Sequence, residues 1–174
     1  MQKVCQEGQL DKLGVLFERY HQPIFGFFVH HTANHELSQD LTQNVFERLL
    51  KYYKTYKIGA SFKTWLYQIA RNVRYDHYRK NRVATNPLEE VYADRNRHFA
   101  ENPKLDIEQE EEVALLYRAI GQLPEDKREI LILSQIQELE YKELSRMLNI
   151  TENSARVKVH RALKQLKTIF QKIK

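Results

Sequence analysis

Five side chains pose the first chemical question in this chain. They are Tyr67, Arg71, Arg74, Tyr75 and Tyr78, within FKTWLYQIARNVRYDHYRK at residues 62–80. On a helix turning about 100° per residue, Phe62, Trp65, Leu66, Ile69 and Val73 make one apolar stripe, and these five fall opposite it. Guanidinium groups pair with phosphates and phenol rings stack on bases, so this mixture suits an unstacked nucleic-acid strand. A merely solvated helix face usually mixes lysine with glutamate, whereas the one acid here is Asp76. Tyrosines also pack at domain edges, so spacing alone leaves Tyr67, Tyr75 and Tyr78 open between the two roles.

A second set lies near the end of the chain. Residues 141–148, 149–151 and 152–173 read as helix, turn and helix, with Thr151 as the cap of the second helix. Ala155, Val159, Ala162, Leu166 and Phe170 give that helix a buried stripe. Asn153, Arg156, Val157, His160, Arg161 and Lys164 lie off it, with Ser154 beside them and Lys142 on the preceding helix. Arginine can read guanine with two hydrogen bonds, asparagine can read adenine, and an exposed valine can touch a thymine methyl. Lys142 and Lys164 suit phosphates instead. His160 either contacts DNA or closes the face.

The elements that must position these groups are helical. The chain has 5 glycines, 4 prolines and 42% hydrophobic residues, enough for packed cores, and few alternating runs that would favour strands. The expected fold is all-α: two small helical domains joined by a linker, the C-terminal one a helix-turn-helix. A first helix spans residues 9–20 with Leu10, Leu13, Leu16 and Phe17 inward. A second follows Pro23, and a third runs from an N-cap at Ser38 to Tyr53. Gly59, Ala60 and Ser61 interrupt the pattern before residue 62. Residues 81–112, with Pro87 and Pro103 and no clear period, read as an acidic linker. Helical spacing resumes at Val113 and pauses at Pro124.

Charge follows the same division. Residues 51–80 carry 8 basic and 1 acidic side chains and residues 141–174 carry 9 and 2, while residues 81–112 carry 4 and 9. Two basic patches flank an acidic stretch, an arrangement suited to gripping a polyanion at two points.

Three blocks resemble the extracytoplasmic-function (ECF) sigma factors of bacterial RNA polymerase. DLTQNVFERLL at residues 40–50 is similar to the family's polymerase-binding region. FKTWLYQIARN at residues 62–72 resembles its promoter-melting region. Leu123, Pro124 and Arg128, with YKELS at 141–145 and SARVKVHRA at 154–162, resemble its C-terminal helix-turn-helix. The resemblance implies sigma region 2 over residues 1–80, a linker over 81–112 and sigma region 4 over 113–174. It implies a chain that binds core polymerase through the β′ clamp helices and the β flap, recognises promoter DNA as duplex and melted strand, and directs initiation. Many members also meet an anti-sigma factor.

On this resemblance Asp40, Gln43, Asn44, Glu47 and Lys51 form the polymerase-binding face, while Leu41, Val45, Leu49 and Tyr52 turn inward. Members often carry an acid where Asn44 stands. Lys57, Gly59, Ala60 and Ser61, around Ile58, resemble the loop that captures a flipped base of the −10 element. Asn72, with Arg71 and Arg74, is expected along the non-template strand. The terminal helix reads the −35 element.

The alternative is a free-standing helix-turn-helix regulator, which would have no use for a strand-binding surface. A nucleic-acid enzyme with an appended helix-turn-helix is a third reading, but no Gly-rich phosphate loop, carboxylate pair or nucleophile motif supports catalysis. His30, His31 and His35 include an i, i+4 pair, yet no acid or cysteine joins them, so neither metal nor cofactor is expected. Cys5 is the single cysteine and forms no internal disulfide. No apolar run approaches the roughly 18 residues of a membrane span and no signal peptide is evident, so a cytoplasmic protein without membrane insertion is expected.

Overall fold

The computed structural model describes residues 12–84 and 107–174, with side chains placed over 12–80 and 112–174. The expectations for Cys5, Leu10, Pro87 and Pro103 lie outside the described residues. Among those described, every regular element is helical. They divide into two compact units, residues 12–29 with 35–84 and residues 30–34 with 107–174.

The first unit contains α1 (Lys12–Thr32) up to residue 29, α2 (His35–Tyr52), a 3₁₀ turn (Tyr53–Thr55) and α3 (Phe62–Ala84). Its core joins Ile24, Phe27 and Phe28 of α1, Leu41, Val45 and Leu49 of α2, and Leu66, Ala70 and Val73 of α3. The expected break at Pro23 does not occur: α1 runs straight through it. An interior proline lacks an N–H and costs about 3 kcal/mol in isolation. The helix is packed by rings on either side of it, Phe17 against Phe46 at 4.8 Å and Phe27 against Tyr67 at 5.6 Å. Phe17, expected inward, is 47% exposed and covers Phe46 with its edge.

Ser38 is not a cap. It is fully buried inside α2, where its carbonyl accepts the Thr42 hydroxyl at 2.7 Å. The chain turns earlier, at Ala33, whose φ of 50° is left-handed. Thr32 Oγ1 accepts the Asn34 N–H there at 3.1 Å. Tyr52, expected inward, is also exposed, because α2 passes at this point into the 3₁₀ turn.

The second unit contains α4 (Ile107–Gly121), α5 (Glu125–Leu131) continuing into a π turn (Ile132–Ile136), α6 (Tyr141–Leu148) and α7 (Glu152–Ile173). Helix α7 packs against α4, α5 and α6. Arg128 is buried and donates to the carbonyls of Gly121 at 2.5 Å and Leu123 at 2.9 Å, tying the end of α4 to α5. This assigns the Leu123, Pro124 and Arg128 motif a folding role. Helices α3 and α4 each extend into the stretch expected to be linker, shortening 81–112 at both ends.

Candidate nucleic-acid interfaces

The exposed face of α7 is assembled by its caps. Glu140 and Glu143 form a capping box at the start of α6, the Glu140 N–H donating to Glu143 Oε2 at 3.0 Å. Asn149 closes that helix with a left-handed φ of 53°, and the Ile150 N–H donates to the Ser145 carbonyl at 3.0 Å. Thr151 Oγ1 then accepts the Ser154 N–H at 3.1 Å and starts α7, as its residue type predicted.

Ala155, Val159 and Ala162 are buried, while Leu166 and Phe170 are half-buried. Lys142, Asn153, Arg156, Val157, His160, Arg161 and Lys164 are exposed; Ser154 is half-buried by its bond to Thr151. Val157 is 40% exposed on this polar surface, where an apolar group gains nothing from water. Two partners of Arg156 were not foreseen. Its Nη2 donates to Glu152 Oε1 at 2.9 Å, and its guanidinium lies 4.8 Å from the Tyr141 ring centre. The i, i+4 spacing could have revealed Glu152; Tyr141 comes from the other helix, and no local period connects it.

In the first unit, Lys57, Ile58, Gly59, Ala60 and Ser61 form an exposed turn leading into α3. Gly59 adopts a φ of 89°, which other residues reach only with strain. The Ala60 N–H donates to the Lys57 carbonyl at 3.0 Å, and the buried Tyr56 hydroxyl donates to the Ala60 carbonyl. Ser61 caps α3, its Oγ accepting the Thr64 N–H at 3.3 Å. This small loop is therefore held in shape from both sides.

The face of α3 differs from the expected one. Tyr67 is fully buried, with its ring against Phe27, and burial pushes its phenol well above the ordinary range. Arg74 is 1% exposed. Neither can meet a strand directly, because both are buried, Tyr67 beneath Phe27 of α1. Asn72 and Tyr75 are exposed, whereas Arg71 and Tyr78 are half-buried. Arg74 acts from below: its guanidinium lies 5.0 Å from the Tyr75 ring centre and that of Arg71 lies 5.5 Å away. Two cations near one ring help to hold it in place, and Tyr75 is still 44% exposed.

On α2, Asp40, Gln43, Glu47 and Lys51 are exposed, with Gln43 Nε2 donating to Glu47 Oε1 at 2.9 Å. Asn44 is half-buried and accepts Arg48 Nε at 2.8 Å, while Arg48 Nη1 donates to Asp76 Oδ2 on α3 at 2.8 Å. The Arg48 hydrogen bond holds the Asp76 carboxyl below its usual range. Asn44 thus orients the α2–α3 ion pair. Lys51 and Lys54 lie over the Tyr52 and Tyr53 rings at 5.4 and 5.9 Å.

His31 and His35 do not share a helix, since Ala33 separates α1 from α2. His35 packs on Phe25 instead, with ring centres 4.8 Å apart. Among the described residues, no group of three or more His, Cys, Asp or Glu is placed to hold a metal ion. Likewise, no described helix is long and apolar enough to cross a membrane.

Comparison with known proteins agrees with both units. The family model for sigma-70 region 2 matches residues 16–83, and that for sigma-70 region 4 matches residues 114–166. The chain is 30% identical over 156 residues to the ECF RNA polymerase sigma factor SigX of Bacillus subtilis, covering 88% of this chain and 80% of SigX. It is 27% identical to SigM of the same organism over 157 residues, covering 90% and 94%. Among solved structures it is similar to the sigma factor RpoE of Bartonella quintana in complex with the anti-sigma factor NepR. There the TM-score is 0.73 at 18% identity, with 92% of this chain and 97% of that one covered. CnrH, in complex with the cytosolic domain of CnrY, gives a TM-score of 0.69 at 17% identity, with 95% and 91% covered.

Proposed function

The chain belongs to the ECF sigma factors of RNA polymerase, and from this membership we propose how its residues divide the work. Residues 1–80, extended by the end of α3, act as region 2, and α4 to α7 act as region 4, with the stretch between as linker. Asp40, Gln43, Glu47 and Lys51 bind the β′ clamp helices, supported by Asn44 through Arg48. The turn Lys57, Gly59, Ala60 and Ser61 captures a flipped base of the −10 element, and Arg71, Asn72, Tyr75 and Tyr78 carry the strand onward. Unstacking a base costs a few kcal/mol, which a preshaped loop and an accessible ring can offset. Tyr67 and Arg74 serve this surface as packing.

Region 4 reads the −35 element as duplex through Asn153, Ser154, Arg156, Val157, His160 and Arg161, with Lys142 and Lys164 on phosphates, while it meets the β flap. The observation that carries this reading is α7: capped, packed on one narrow stripe, and presenting cations with a lone exposed valine. An anti-sigma factor is a further partner, as NepR is for RpoE. No residue needs to break a bond, since the polymerase performs the nucleotidyl transfer.

Run-off transcription by core polymerase plus this protein on a promoter library tests the reading. Transcripts starting downstream of a shared pair of elements are expected; none at all would refute it. Arg156→Ala should relax preference at one upstream position by about 1–3 kcal/mol.

A further inference from the structure

We propose that Tyr141 and Glu152 are positioning residues for Arg156, so that base choice at the upstream element is set by three side chains. The inference rests on the reading that α7 contacts that element, and extends it to two residues outside the contact set.

An exposed arginine normally samples many rotamers and must surrender them on binding. Arg156 is exposed yet held. The Tyr141 ring lies against its guanidinium at 4.8 Å, and Glu152 takes one hydrogen bond from Nη2 at 2.9 Å. These partners begin the two helices of the motif, Tyr141 opening α6 and Glu152 opening α7. Each start is fixed by its own cap, so the ring and the carboxylate come from rigid points on opposite sides of the turn. Beside them a cavity of about 540 Å³, lined also by Gln135, Glu138 and Lys142, offers room in which an unheld Arg156 could swing.

The clamp sets the guanidinium against the Tyr141 ring and engages Nη2 with Glu152, leaving other N–H donors for a base edge. Holding the fork in one orientation lowers the ordering cost of a correct contact and so favours guanine geometry over looser pairings. Glu152 adds a repulsive element: an exposed acid in the first turn of α7 is unfavourable beside a polyanion and weakens contacts that do not engage the arginine. Its removal should therefore loosen base choice without weakening overall binding.

The experiment uses holoenzyme reconstituted from core polymerase and the full chain, transcribing promoters randomised at each upstream base in turn. Arg156→Ala marks the position that Arg156 reads. At that position Tyr141→Leu should lower preference roughly two- to fivefold, the range expected for one exposed cation–π contact. Tyr141→Phe, which keeps the ring, should retain it. Glu152→Gln should also lower preference there, with total binding unchanged or raised. Because Glu152 is exposed, this variant keeps the test open even if Tyr141→Leu melts early. A position lost in Arg156→Ala but kept in both Tyr141→Leu and Glu152→Gln overturns the clamp alone, as does an even loss at every position. Unaltered preference everywhere in Arg156→Ala overturns the clamp together with the reading beneath it.

Discussion

Helices α3 and α7 were read by the same periodic rule, yet the rule sorted α7 correctly and misplaced part of α3. On α7 the buried residues Ala155, Val159 and Ala162 span an arc of about 60° at 100° per residue. On α3, Leu66, Tyr67, Ile69, Ala70, Val73 and Arg74 are buried, an arc of about 160° by the same measure. A helix packed through small residues on one stripe leaves its polar groups outside. A helix flanked by two others takes in groups at the margin of the stripe, including a tyrosine and an arginine. Composition warned of this weakly, because both side chains have apolar bodies that can lie inward.

The largest test of the contrast is Tyr67→Ala. Removing a fully buried aromatic should destabilise the first unit by about 3–5 kcal/mol in urea unfolding. A loss below about 0.5 kcal/mol would return Tyr67 to the surface and erase the contrast.

Next comes Gly59→Ala, which forces a side chain into a left-handed turn at a cost of about 1–2 kcal/mol. Space is not the obstacle, since nothing lies within 4 Å of the added methyl. Core polymerase binding should persist while preference within the −10 element changes; loss of polymerase binding would show the loop to be misassigned.

Asp76→Asn is smaller. Its ion pair with Arg48 is about one-third exposed on both sides and is screened, so a loss under about 1 kcal/mol is expected at neutral pH. The folded carboxyl titrates below its unfolded value, so its contribution is present above an unfolded pKa of about 3.9 and fades as pH falls through the folded one. Wild type and Asp76→Asn should therefore converge in stability on acidification. A gap that widens on acidification would give the pair the wrong sign.

Smallest in stability is Val157→Ser, within about 0.5 kcal/mol, because Val157 lies on the exposed side of α7, outside its core. Its effect should appear only as altered preference for thymine in the upstream element. A large melting shift would mean that the reading face, too, is part of a core.

These cases show where sequence is sufficient. The turn before α7 was legible because Asn149, Thr151 and Ser154 act on neighbours within one helical turn or so, and their types determine the geometry. The break expected at Pro23 and the cap expected at Ser38 failed for the converse reason. Local propensity there is overridden by rings from helices distant in sequence, and by burial that turns a capping serine into packing. Asn44 belongs with these: its bond to Arg48 lies on one helix, but its purpose becomes visible only with Asp76 across the core.

The left-handed Asn149 carries one more implication, for the thermodynamics of binding. With that single residue setting the angle and the Thr151 hydroxyl latching the next turn, the DNA reader meets its site already shaped. Its docking onto an isolated upstream duplex should then resemble two rigid bodies closing, with a modest heat-capacity change in calorimetry rather than the large drop of a segment that folds as it binds.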